Sequence, residues 1–387
     1  MSGGVIMTWR ASSVEKIRLE FIKNCLLDVV SFSTLCKQYE ISRTTGYKWL
    51  QRYHEGGAKN LFDQSRRPKK RPNDTEREIV KLIIDTRERF PHWGAKKIIP
   101  YLISKHNNLE LPSTATIGNI LKRNGYTVKG KRRLSVGGTA PLVSPEYSNH
   151  VWTMDFKGWW KTKDDKICEP FTVCDAHSRY LLYCEPARKK DASSIWKILD
   201  NLFLKYGLPE RFRSDNGPPF ASVGVGRMTS LSINLVKAGV IPEWTRVGKP
   251  QDNGRHERMH RTMNREVALE PASTLEKQRD QLKEFQNYYN SIRPHEALAN
   301  QTPAQVYKPS NKRWDRIKKS PKYPTEYLIR KVDSSGQISL YGHVPFISER
   351  LKGEYIGLEE LSKEVFKLFY GEICLGTFDF LNGFERF

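Results

Sequence analysis

Between Val151 and Glu270 short β-type runs alternate with amphipathic helical runs, and this alternation constrains the fold more than any other feature of the 387 residues. "VWTMDF" (151–156), "PFTVCDA" (170–176) and "RYLLYCEP" (179–186) are rich in aromatic and branched residues and predict three successive strands. "DASSIWKILDNLFLKYG" (191–207) has the helical period and stops at Gly207. "ERFRSDNG" (210–217) predicts a strand running into a turn, "MTSLSINLVKAG" (228–239) a helix and "VIPEWTRV" (240–247) a fifth strand. "QDNGRHERMHRTMNREVALE" (251–270) predicts a long helix starting near Asn253. Three strands followed by alternating helices and strands give a mixed sheet with helices on its faces.

Three acids take particular positions in that layout. Asp155 lies in the first strand, Asp215 at the end of the fourth directly before Asn216-Gly217, and Glu257 one turn into the last helix. Fifty-nine residues separate the first two and 41 the last two. If strands one and four are neighbours, their acids project from one region of the sheet, and a helix crossing that end adds the third. Three carboxylates together are costly unless a cation neutralises them. Oxygen-only ligands suit Mg²⁺ or Mn²⁺ rather than zinc. Two such ions about 4 Å apart can activate an attacking oxygen and stabilise a leaving one in phosphoryl displacement. Of the other acids, Asp175 reads as a strand-end or turn residue, Asp164-Asp165 as a hairpin turn and Asp252 as a helix cap.

The flanks are of different character. Residues 13–54 read as helices, and "STLCKQYEISRTTGYKWLQRYHEGG" (33–57) resembles a helix-turn-helix. Leu35, Cys36 and Tyr39 make the inner face, Ile41 fills the turn, and Ser42 caps the second helix. That helix is expected to bury Trp49, Leu50 and Tyr53, to expose Arg43, Thr44, Lys48 and Arg52, and to end at Gly56-Gly57. Two residues depart from the pattern: Glu40 stands where a turn glycine is usual, and Gly46 lies inside the recognition helix. A second helical unit over 74–128, with Ser113 or Thr114 as a cap, looks like a helix-turn-helix of winged type. Basic linkers follow each unit. In "SRRPKKRP" (65–72) the cations Arg66, Arg67, Lys69, Lys70 and Arg71 suit an extended arm along phosphates or in a minor groove.

The tail has strand-like runs with Gly and Ser turns, which fit a small β-barrel of SH3-like type over 322–387; "NKRWDRIKKSPKYP" (311–324) leads into it as a basic linker. The expected parts are a helix-turn-helix at 1–60, a linker at 61–73, the second module at 74–128, a linker at 129–147, a catalytic core at 148–308 and the barrel. A net charge of +22 predicts attraction to a polyanion, most often nucleic acid. The six cysteines lack CxxC spacing and read as small buried residues in a reducing cytosol. Neither a secretory leader nor a charge-free membrane-spanning run is visible, so a cytoplasmic, nucleoid-associated protein is expected.

"WTMDF", "FRSDNG" and "GKPQDNGRHERMHRTM" resemble the three catalytic segments of DDE transposases with a retroviral-integrase-type core, in particular those of bacterial insertion sequences. "YNSIRPHEALANQTPAQVY" (289–307) looks like the segment that follows that core. The resemblance spans about residues 30 to 370. It implies an RNase H-like fold, Mg²⁺-dependent DNA cleavage and strand transfer, and a dimer or larger assembly on double-stranded DNA. It maps Asp155, Asp215 and Glu257 onto the catalytic, metal-holding triad. Arg261 and Asn264 share the helical face of Glu257, with Arg265 on its flank, and are expected to hold DNA beside the metals. The 41-residue gap exceeds that of the wider integrase group, and "FASVGVGRMTS" (220–230) can hold the excess as a loop.

Two other readings stand beside this one. A DNA-binding transcriptional regulator without catalysis would use only the helical modules and would leave the acids unexplained. A zinc hydrolase would use His256-Glu257-x-x-His260, an HExxH pattern; Arg255, Arg258, Arg261 and Arg265 crowd that helix and repel a dication.

Overall fold

In a computed structural model, which describes residues 14–63, 75–106, 109–126, 142–246 and 250–386, the chain divides into two units, Met1–Asp74 and Thr75–Phe387.

The first unit is three helices: α1 (Val14–Leu26), α2 (Phe32–Gln38) and α3 (Arg43–Gly56). They enclose Phe21, Ile22, Leu35, Cys36 and Leu61. Ser31 and Ser42 accept hydrogen bonds from the backbone at the starts of α2 and α3, and Gly57 ends α3 at φ +65°. The two departures from the motif have structural outcomes. Glu40 takes the left-handed backbone itself, at φ +52°, so the turn forms without glycine at some cost in strain. A Cβ on Gly46 would lie 2.8 Å from Cys36 Sγ and 2.9 Å from Phe32 Cζ; glycine lets α3 sit this close to α2.

The second unit begins with α4 (Arg77–Arg89), α5 (Ala95–Lys105) and α6 (Thr114–Arg123), packed around Ile83, Trp93, Ile98 and Ile117. Ser113 caps α6, and Gly125 follows it at φ +80°. Among the described residues this module has helices and no strand, so the expected wing has no counterpart there.

The core is a five-stranded sheet. Its strands are β1 (Val151–Phe156), β4 (Pro170–Asp175), β5 (Leu181–Pro186), β6 (Arg211–Ser214) and β7 (Ile241–Trp244), with a small hairpin of β2 (Trp160–Lys161) and β3 (Ile167–Cys168) beside it. The order is β5-β4-β1-β6-β7, antiparallel from β5 to β1 and parallel from β1 to β7. Side-chain alternation gives the sheet two apolar faces. Trp152, Met154, Phe171, Val173 and Phe212 pack under α7 (Ala192–Tyr206) and α8 (Ser230–Lys237). Cys174, Leu181 and Cys184 pack under α9 (Gly254–Met263) and α10 (Leu275–Ser291). A wider π-helical turn, Asn264–Ala268, continues α9. Trp93 donates to the Tyr288 hydroxyl of α10 at 2.6 Å, and Phe90 stacks on the same ring, which ties the α4–α6 module to the core.

After the short α11 (Pro303–Val306) the 311–324 segment is anchored rather than free. Trp314 is buried in the core and donates to Asp200 at 2.7 Å, with Arg316 on the same carboxylate. The tail is an antiparallel sheet of β8 (Leu328–Lys331), β9 (Tyr355–Ser362), β10 (Val365–Tyr370), β11 (Ile373–Asp379) and β12 (Gly383–Arg386), in the order β12-β11-β10-β9-β8. No pairing joins β12 to β8 among the described residues, so the sheet stands as a five-stranded meander where the sequence suggested a closed barrel.

Candidate active site and nucleic-acid surfaces

The β1/β6 pairing sets the site. Val151 lies opposite Arg211 and Thr153 opposite Arg213 in parallel register. Two residues further along each chain come Asp155 and Asp215, at the same end of adjacent strands. Glu257 stands in the first turn of α9, where the helix dipole favours an anion.

The three carboxylates differ in surroundings. The Asp155 side chain is 19% exposed, whereas Asp215 and Glu257 are exposed. Burial first, then the charge of Asp215, pushes the Asp155 carboxyl up to about 7; Glu257 adds to the shift, and the Phe156 backbone N–H opposes it. Asp155 therefore lies within electrostatic reach of both other acids. Among the described residues, however, no three His, Cys, Asp or Glu side chains stand in an arrangement that holds a metal ion as it is.

The histidines of the HExxH letters are turned inward. His256 Nδ1 lies 2.7 Å from Thr153 Oγ1, and its Nε2 2.7 Å from Thr172 Oγ1. His260 Nε2 lies 2.8 Å from the same Thr172 hydroxyl, and its Nδ1 3.6 Å from Asp155 Oδ2. Thr172 Oγ1 also donates its single hydrogen to the Asp155 carbonyl at 3.0 Å, so it bridges both rings by accepting Nε2–H from each. Burial pushes His256 down to about 3, and burial with the neighbouring His256 and Lys157 pushes His260 down to about 2. Both rings are neutral and three of their four nitrogens are hydrogen-bonded to threonines. They have no common open point for zinc, and the zinc-hydrolase reading is set aside on this geometry. Instead they form a polar floor under Asp155. Thr153 shares the strand face of Asp155, and Thr172 is its cross-strand partner.

Arg213 fixes the approach of α9. It is buried, with Nε 2.6 Å from Glu243 Oε2 of β7, Nη2 donating to Val143 O at 2.6 Å and Nη1 reaching Asp252 O at 3.4 Å. Asp252 does not cap α9 as expected. Its carboxylate receives Arg246, and Asn253 occupies the cap position without a side-chain bond. Asp175 does hold a turn: it accepts from Asn149 N, Ser178 N and Ser178 Oγ. Asp164 and Asp165 stand in the β2–β3 turn.

On α3, Arg43, Thr44 and Lys48 are exposed as expected. Arg52 is not free. It is half-buried, with its guanidinium 4.9 Å from the Trp49 ring, whose centre also lies 3.8 Å from the Arg18 guanidinium. Arg261, Asn264 and Arg265 are exposed. Arg66, Arg67, Lys69, Lys70 and Arg71, like the 129–138 linker, lie outside the described residues.

Models of the integrase core domain match residues 145–250 and 238–303. A helix-turn-helix model matches 18–69 and a homeodomain-like model 45–121. These matches define the class by its parts: the chain carries an integrase core domain over 145–303, preceded by helix-turn-helix modules. Within it the chain is a distant homologue of the transposase of transposon Tn552 from Staphylococcus aureus, 24% identical over 71% of this chain and 61% of that protein. It is also 26% identical to an uncharacterised protein of insertion element IS476 from Xanthomonas euvesicatoria, over 45% of this chain and 49% of the other. The chain thus spans about three fifths and one half of these relatives. The magnesium-bound integrase catalytic core of HTLV-2 overlays 43% of this chain and all of its own, at 15% identity and a TM-score of 0.33. No helix among the described residues is long and apolar enough to cross a membrane.

Proposed function

We propose that the protein is a transposase that cuts DNA at the ends of its element and joins them to target DNA, with Asp155, Asp215 and Glu257 as its catalytic carboxylates. The observation that carries this reading is the half-buried Asp155, pushed up to about 7 by burial and by the neighbouring Asp215 and Glu257. An arrangement that destabilises its own charge is a mark of a functional site.

The all-oxygen donor set fits Mg²⁺ or Mn²⁺, and the adjacent histidines are occupied elsewhere. When bound, one or two such ions supply Lewis-acid activation of an attacking oxygen and stabilisation of a leaving oxygen. Asp155 offers a fixed oxygen from the sheet, seated on the Thr172–His260 floor. Asp215 offers one from just past the end of β6, with Thr245 Oγ1 donating to it at 3.4 Å. Glu257 closes the set from α9, whose approach Arg213 holds. Arg261, Asn264 and Arg265 extend from α9 and the turn after it toward the DNA. The two helical modules and the 65–72 arm bind the element's ends as double-stranded DNA, and two ends are brought together by a dimer or larger assembly.

The test is strand cleavage of a duplex carrying the sequences that flank the gene, with DNA binding measured in parallel. Asp155→Asn, Asp215→Asn and Glu257→Gln should each abolish Mg²⁺-dependent cleavage and keep binding. Near wild-type cleavage by any one of the three would sink the triad.

A further inference from the structure

Across α9 from Glu257 lies a second feature that the triad does not use. Arg255, Arg258 and Thr262 share one face of the helix, turned well away from that of Glu257. They line a cleft of about 170 Å³ together with Lys97 of α5, Arg179 of the turn after β4, and Arg293 and His295 beyond α10. Glu296 is the one carboxylate in the lining, and Lys96 holds it at 2.7 Å.

Five cations around one small cleft repel one another, and the structure shows that cost. The Arg179 guanidinium is pushed down to about 10 by burial and then by Arg255, and Lys97 is pushed down by burial and then by Arg293. Arg179 also holds a left-handed backbone at φ +66°, which a non-glycine residue adopts at a cost. Two cations are steered by protein acceptors: Arg255 donates to Ala176 O at 2.8 Å, and Arg293 to the Tyr288 hydroxyl at 3.1 Å, with the Glu266 carboxylate 3.6 Å from the same guanidinium as its one counter-charge. Others have no acceptor. Among the described residues Arg179 Nε is a buried donor with no hydrogen-bond partner, and the exposed Arg258 guanidinium makes no hydrogen bond or ion pair; His295 is held neutral by burial and the surrounding cations and gives its proton to the Tyr289 backbone, so it adds no donor to the cleft. A buried guanidinium donor without a partner, beside an unpaired guanidinium at the cleft mouth and an excess of positive charge, calls for an anion with several acceptor oxygens, which guanidinium forks fit best.

We propose that this cleft is a phosphate-binding site and that its ligand is a phosphate of the DNA backbone, seated on the opposite side of α9 from the carboxylates. At roughly 30 Å³ per water, the cleft has room for a phosphate group and a few waters. The assignment to DNA rests on the transposase reading; the affinity for phosphate does not, and none of the measurements below needs cleavage.

Full-length wild type, Arg258→Gln and Arg179→Gln are compared, with Lys283→Gln on α10 as a control of equal charge change. Two readouts are taken: thermal protection by inorganic phosphate against chloride at matched ionic strength, and duplex affinity as a function of salt. Arg258 is exposed, so its variant keeps the test open even if Arg179→Gln fails to fold. The expected result is phosphate protection of wild type that both variants lose, with duplex affinity down about tenfold and the salt slope shallower by about one. Phosphate protection lost in the variants with unchanged duplex affinity would overturn the DNA assignment in favour of a free phosphate ester. Wild type that phosphate does not protect, or an affinity loss matched by Lys283→Gln, would overturn the site.

Discussion

Replacing Asp155 with asparagine should make the metal-free protein more stable at alkaline pH. The folded carboxyl titrates near 7, above its reference value of 3.8. Between those values the folded chain keeps a proton that the unfolded chain has released. Stability therefore falls as pH rises from about 4 to about 7 and stays at the lower level above that. A shift of about three units at 1.36 kcal/mol each gives a ceiling of roughly 4 kcal/mol. The side chain is 19% exposed, and screening brings the expectation to about 2–4 kcal/mol. Asparagine has nearly the same shape, can still accept from the Phe156 N–H, and carries no charge. Denaturant unfolding in EDTA should show the variant ahead of wild type by that amount at pH 8.5 and by less than half of it at pH 5. A variant no more stable than wild type at pH 8.5, or an advantage that does not grow with pH, would refute the electrostatic argument. The same substitution should abolish cleavage, so stability and function would move in opposite directions at one residue.

Thr172→Val removes the hydroxyl that bridges His256 and His260 and leaves buried ring nitrogens unpaired; a loss of about 1–3 kcal/mol in denaturant unfolding is expected, and less than half a kcal/mol would count against the bridge. Arg213→Gln breaks a pair whose side chains are 8% and 11% exposed, which should cost about 3–5 kcal/mol and lower cleavage by loosening α9; full activity and stability would show that Arg213 does not hold it. Gly46→Ala gains up to about 1 kcal/mol of helix propensity and loses roughly 1–3 kcal/mol by crowding Cys36 and Phe32, so the first unit should melt earlier and bind DNA less well; a later melt would refute the close-packing account.

Much of the core is legible along the chain because its signals are local. Strand periodicity places Asp155, and the Ser-Asp-Asn-Gly turn places Asp215; the equal offset of Val151–Arg211 and Asp155–Asp215 then brings the two acids level. Arg261 and Asn264 follow from helical spacing alone. What escapes is fixed by distant partners. Nothing beside Thr172 in sequence marks it as the residue between two histidines 84 and 88 positions away. Trp314 lies in a basic, proline-containing stretch that looks like a spacer, and only the carboxylate of Asp200 shows where it docks. Arg52 looks like an exposed helix cation until Trp49 and Arg18 are placed beside it. Glu40 keeps the turn conformation that glycine would take more cheaply, which no pattern of letters foretells. The cationic cleft gathers Lys97, Arg179, Arg258 and Arg293 from four separate segments, and nothing in any one stretch shows that they meet.

The central claim is that Asp155, Asp215 and Glu257 act together on a divalent cation, and calorimetric titration of Mn²⁺ into the metal-free full-length protein tests it most directly. The account predicts saturable binding that Asp155→Asn, Asp215→Asn and Glu257→Gln each weaken by about tenfold or more, near 1.4 kcal/mol, with Arg258→Gln leaving it intact. Unchanged Mn²⁺ affinity in any one of the three carboxylate variants would contradict it.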